Sequence, residues 1–146
     1  MSGPQPSADT LVVRRRLPAP RERVFAAWLD PVSLAQFMCP GVVASASAEV
    51  DPRVGGAFRI VMKKPQGDVE HRGEYLVIEP PSRLSFTWIS AATEQRPSVV
   101  TIELHDDGAD TELTLTHRRL PPAQVESHRG GWTEIVRKLE ATLAPV

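Results

Sequence analysis

The chain has 146 residues and a formal charge of −1, with 17 Lys and Arg set against 18 Asp and Glu. That length suits one domain able to bury a real core and is short for two. The near balance of interspersed charges excludes the basic footprint of a nucleic-acid or anionic-lipid binder.

One cysteine, Cys39, excludes an intrachain disulfide and points to a reducing compartment, so the cytoplasm is the expected location. No apolar run approaches the roughly 20 residues of a membrane span, and the start has neither part of a signal peptide. Residues 1–8, rich in Ser, Pro and Gly, are expected to form a flexible tail ahead of a single domain over residues 9–146.

A first strand is expected over Thr10 to Leu17, ended by Pro18-Ala19-Pro20. Its Arg14-Arg15-Arg16 run reads as an edge strand charged on its open side. From Arg21 to Leu29, Val24, Phe25 and Trp28 fall on one helical face before Asp30-Pro31. Pro31 opens a second short helix carrying Leu34, Phe37 and Met38. Six strands follow, over Val42 to Val50, Ala57 to Lys63, Val69 to Glu79, Arg83 to Ser90, Ser98 to His105 and Thr111 to Arg119. The segments between them carry the Pro, Gly, Asp and Ser of hairpin turns.

Alternation assigns the faces. Phe58, Ile60 and Met62 share one side, as do Leu84, Phe86 and Trp88, then Val100, Ile102 and Leu104, then Leu113 and Leu115. Ser85, Thr87, Thr101 and their neighbours make the other side wet. An antiparallel sheet with one apolar face needs a cover. Trp132, Ile135, Val136, Leu139 and Leu143 supply it, recurring at the period of a long terminal helix. Gly130-Gly131 reads as a kink or a close helix-to-sheet contact.

The order strand, two short helices, six strands, long helix (β-α-α-β6-α) is that of the α+β helix-grip fold of the START and birch-pollen-allergen-like (SRPBCC) superfamily. Within it, five segments narrow the match: Pro20-x-x-x-Val24-Phe25-x-x-Trp28, Asp51-Pro52-Arg53-Val54-Gly55-Gly56-Ala57-Phe58, Gly73-Glu74-Tyr75 running on through Ile78-Glu79-Pro80-Pro81 to Trp88, Thr111 to His117, and Gly131-Trp132. Together they resemble the family named after the activator of the heat-shock-protein-90 ATPase, from about Thr10 to Leu143. The resemblance implies a cavity between sheet and helix, which elsewhere in the superfamily holds lipids, sterols, polyketides or hormones, and in a minority of members catalyses a reaction. The family is mostly small bacterial proteins without assigned function. The co-chaperone behind its name uses a separate amino-terminal domain, so a chaperone partner is not expected.

Two short helices closing one mouth would leave space between sheet and terminal helix, and that space is the expected site. Its walls would draw Trp28, Phe37 and Met38 from the short helices and Phe58, Ile60, Met62 and Tyr75 from the first strands of the sheet. Phe86, Trp88, Val100, Ile102 and Leu115 would come from the later strands, and Trp132, Ile135 and Leu139 from the terminal helix. Each of these also reads as plain core. His117 continues the inward run of Leu113 and Leu115 and so reads either as a polar group at the cavity or as a satisfied histidine at a strand end. His71 and Tyr75 share a parity opposite to Arg72 and Glu74, but spacing between Tyr75 and Ile78 breaks strict alternation and leaves that strand's facing open. His105 falls outward, and His128 has a weaker claim. No nucleophile elbow, zinc motif, cysteine pair or phosphate loop is present, so no metal, cofactor or catalytic residue is expected; Cys39 reads as a small buried residue.

Binding of a small hydrophobic or amphipathic molecule is therefore the leading expectation. A cyclase or dehydratase-like enzyme using His117, Tyr75 or Glu74 is the alternative, and needs two of these to converge on one empty volume. A protein-interaction module, co-chaperone-like or a homodimer through an exposed sheet surface, is the third reading.

Overall fold

The computed structural model describes residues 8–143, so the tail expected over residues 1–8 lies, apart from Ala8, outside the described residues. In chain order the elements are β1 (Leu11–Leu17), α1 (Arg21–Leu29), α2 (Pro31–Phe37), β2 (Ser45–Val50), β3 (Ala57–Lys64), β4 (Gly67–Glu79), β5 (Arg83–Trp88), β6 (Ser98–Asp107), β7 (Asp110–Arg118) and α3 (Val125–Leu143). The seven strands form one antiparallel sheet in the order β1-β7-β6-β5-β4-β3-β2. This curled sheet around a long terminal helix is the helix-grip fold.

Local chemistry sets the boundaries. Pro31 starts α2, and the Asp30 carboxylate caps it by accepting from the Ser33 backbone N–H at 3.1 Å and from its hydroxyl at 2.8 Å. The chain from Pro40 turns before pairing, so β2 begins at Ser45 and not at Val42. As an edge strand β1 carries its arginines against acids: Arg15 meets Glu140 at 2.6 Å, and Arg16 meets Asp110 at 2.9 Å and Asp107 at 3.2 Å.

Strand alternation places the expected core inward. Phe58, Ile60 and Met62 of β3, Leu84, Phe86 and Trp88 of β5, and Leu113, Leu115 and His117 of β7 are all buried. In β4 the facing is now settled: His71 and Tyr75 point in, and a bulge between Tyr75 and Val77 resets the register. Gly73 is dictated by crowding, since a Cβ there would lie 2.0 Å from the Thr87 carbonyl oxygen and 2.7 Å from the Phe58 ring. The outer face is drier than alternation suggests. Ser85 and Thr101 are buried there and hydrogen-bond each other at 3.2 Å, with the Arg118 guanidinium lying over Thr101.

α3 lays Trp132, Ile135, Val136, Leu139 and Leu143 on the concave face. It starts five residues ahead of Gly130, which places both glycines inside the helix. Neither makes a close contact with the sheet, because a Cβ on either would meet nothing within 4 Å. Among the described residues no helix is long and apolar enough to cross a membrane.

Candidate ligand cavity

The centre of the molecule is filled by rings. Phe58 packs on Phe86 and Tyr75 with centroids 5.3 and 5.4 Å apart, and Trp28 meets Phe37 edge-on at 5.1 Å. Among Trp28, Met38, Phe58, Ile60, Tyr75 and Phe86 only about 10 Å³ stays empty, hardly room for a single water. The space expected between sheet and helix does not lie there.

It lies instead at one end, as a cavity of about 520 Å³ between the first half of α3 and the ends of β3, β4 and β5. Met62 and Val69, opposite each other in the β3–β4 ladder, make one wall; Trp88, Trp132 and Ile135 make the inner one. The Trp88 and Trp132 rings are 4.9 Å apart, and the His71 ring lies tilted on Trp88 at 4.7 Å. Pro40, Gly41 and Val42 form the rim. α3 holds that rim in place: the Glu134 carboxylate accepts from the Gly41 N–H, and the Lys138 ammonium donates to the Cys39 carbonyl. Lys64, Glu126 and Glu134 also reach the cavity.

The expected site residues therefore divide. Met62, Trp88, Trp132 and Ile135 line the chamber. Trp28, Met38, Phe58, Ile60, Tyr75, Phe86 and Trp88 surround the residual void behind it. Phe37, Ile102, Leu115, Leu139 and His117 line neither; they are buried core.

His117 is fully buried behind Trp132. Its Nδ1 accepts from Trp132 Nε1–H at 2.9 Å, which leaves the proton on Nε2, facing Ser98 Oγ at 2.7 Å. The Ser98 hydroxyl in turn donates to the Trp88 carbonyl at 2.6 Å. Burial, reinforced by nearby His128, pushes the imidazole pKa down to about 3. A proton on Nδ1 would displace the indole, so His117 orients Trp132 and stays neutral. Tyr75 sits among phenyl rings, its hydroxyl pKa pushed up to about 12 by burial and by Asp51, while Glu74 is exposed. The three groups on which an acid–base enzyme would draw do not converge on one empty volume.

Two histidines outside the expected wall residues are at the chamber: His71, whose strand's facing the spacing leaves open, and His128, whose claim is weaker. His71 is 9% exposed, and burial, then His128 and Lys64, push its pKa down to about 4. His128 is half-buried; its Nδ1–H donates to the Gln124 carbonyl at 2.9 Å, which leaves Nε2 as an acceptor, and burial lowers its pKa. The signal for His128 was its spacing: it precedes Trp132 by four and Ile135 by seven, which matters once the helix starts at Val125. Among the described residues no group of three or more His, Cys, Asp or Glu could hold a metal ion.

Solved structures similar to this chain have the same architecture. Protein CV1439 from Chromobacterium violaceum is 28% identical with a TM-score of 0.84, over 94% of this chain and 99% of that one. Protein NE0264 from Nitrosomonas europaea is 27% identical with a TM-score of 0.79, over 94% and 95%. CalU16 from Micromonospora echinospora is 26% identical with a TM-score of 0.72, over 93% and 76%. No curated protein is similar enough to match. The fold is consistent with a ligand-binding scaffold, and the match over residues 18–144 shows that the chain belongs to the family described as activator of Hsp90 ATPase homolog 1-like protein.

Proposed function

We propose that the protein binds one small hydrophobic or amphipathic molecule in the end chamber. The observation that carries this is a 520 Å³ space walled by two indoles in a molecule whose centre is otherwise closed. That volume falls in the range of pockets that take drug-sized ligands, and its lining has the usual mixture of an apolar wall and a few polar groups. Dispersion and burial against Trp88, Trp132, Met62, Val69 and Ile135 would supply the affinity. The imidazoles and the rim would orient the ligand. A buried, unpaired Cys39 fits a reducing compartment, and we place this binding in the cytoplasm.

The test is titration with N-phenyl-1-naphthylamine, a neutral fluorescent probe. Saturable uptake at one probe per chain, with a rise in melting temperature, is expected; a ligand at 100 times its Kd stabilises the native state by about 2.7 kcal/mol. Titration without saturable enhancement and without a thermal shift would overturn the reading.

A further inference from the structure

Gly130 and Gly131 are unusual residues for the interior of a helix, where glycine lowers stability relative to alanine by leaving the backbone unrestrained. Packing does not account for them: a Cβ on either would meet nothing within 4 Å. Both line the end chamber. Gly131 stands at the middle of the face that lines it, one turn from Ser127 and His128 on one side and from Glu134 and Ile135 on the other. A side chain there would project into the chamber and reduce it.

A second observation points to a ligand in the same space. His71 lines the chamber, is nine-tenths buried, and has no hydrogen-bond partner for Nδ1 among the described residues; Nε1 of Trp88, on which it lies tilted, also has none. Buried polar nitrogens left unmatched cost stability unless something meets them. The charged groups at the chamber give no excess of positive charge. Lys64 lines it together with Glu126 and Glu134, of which Glu126 pairs with Arg129 and Glu134 accepts from the Gly41 N–H. Both imidazoles are held toward the neutral form.

Resting on the ligand-chamber reading above, we propose that Gly131, flanked by Gly130, is the bare floor of the site, kept free of side chains so that an uncharged, flat amphipathic molecule lies against the α3 backbone between the Trp88–Trp132 wall and the His71–His128 pair. The glycines set the size of ligand admitted, and the imidazoles meet its polar group.

The experiment compares wild type, Gly131→Ala, the Gly130→Ala/Gly131→Ala pair and Gly131→Leu with N-phenyl-1-naphthylamine and its anionic relative 8-anilinonaphthalene-1-sulfonate. The alanine variants are expected to melt a few degrees higher without ligand, because helix propensity rises and nothing is struck. They are expected to bind the neutral probe more weakly, and Gly131→Leu at least ~10-fold more weakly. The alanine variants keep the result readable should Gly131→Leu not fold. Wild type should favour the neutral probe over the anion. Undiminished binding by the folded variants would overturn the floor while leaving the chamber reading intact. Equal or tighter binding of the anion overturns the uncharged ligand. A wild type that takes up neither probe overturns both this inference and the reading on which it rests.

Discussion

Acidification is the sharpest test of how the histidines are held. His71 and His117 have ordinary imidazole pKa values near 6.5 when unfolded, and burial depresses them to about 4 and about 3 in the folded chain. Below pH 6.5 the unfolded state therefore takes up protons that the folded state refuses, and stability falls as pH falls. Each pH unit costs about 1.4 kcal/mol per buried imidazole, so at pH 5 the two together remove roughly 4 kcal/mol, a large share of an ordinary domain's stability. His128, lowered by burial, adds in the same direction. The window from pH 6.5 to 5 isolates these groups, because carboxylates titrate mainly below it. Urea unfolding followed by tryptophan fluorescence at pH 7, 6 and 5 reads the effect directly. His117→Gln, whose amide oxygen can accept from Trp132, should remove about half of the slope. A midpoint that does not move between pH 7 and 5, or a resonance assigned to His71 or His117 that titrates near 6.5 in the folded protein, would refute the reasoning.

Two further substitutions probe the frame around the chamber. Gly73→Ala forces a Cβ to within 2.0 Å of the Thr87 carbonyl and 2.7 Å of Phe58, so β4 must part from β5; a loss of at least ~3 kcal/mol is expected in chemical denaturation, and a loss under 1 would contradict the crowding. His117→Phe leaves Trp132 Nε1–H buried without its acceptor and should cost about 2–4 kcal/mol. Adding Trp132→Phe removes the orphan donor, so the double variant should be less destabilised than the two single changes combined, by about 1 kcal/mol; strict additivity would argue against the bond.

Most of the fold could be read from the chain because it is written in local rules. Proline and glycine turns delimit the strands, two-residue alternation fixes their inner faces, and Trp132 to Leu143 repeat at helical spacing. The reading slipped where punctuation and position conflict. Gly130-Gly131 reads as a kink or a close contact with the sheet, yet α3 begins at Val125 and runs through both without such a contact, which puts His128 in register four residues before Trp132. Ser85 and Thr101 alternate outward yet are buried, because they pair with each other and Arg118 covers Thr101. The position of the chamber was the least legible feature. Which apolar residues face inward follows from parity; whether their rings meet follows from rotamers and from the curl of the sheet. Here Phe58, Tyr75 and Phe86 close on one another, and the void moves to where Gly131 withholds a side chain.

α3 thereby serves two purposes along its length, and the change of composition shows where one gives way to the other. Past Trp132 its inward positions are Ile135, Val136, Leu139 and Leu143, all buried against the sheet, and this half anchors the domain by apolar burial. Before Trp132 the α3 positions lining the chamber are Glu126, Ser127, His128, Gly130 and Gly131, none of them a large apolar side chain; His128 meets His117 edge-on at 5.4 Å. Trp132 is the hinge between the halves, since one face of its environment is the chamber and its indole N–H is tied to His117 in the sheet. An open chamber in a small domain is tolerable only because the closed ring cluster and the second half of α3 hold the sheet independently of it. Substitutions at Ser127 and Gly131 should therefore act on ligand uptake with little loss of folding, those at Val136, Leu139 and Leu143 on folding with uptake lost only as a consequence, and those at Ile135, which is buried and also lines the chamber, on both.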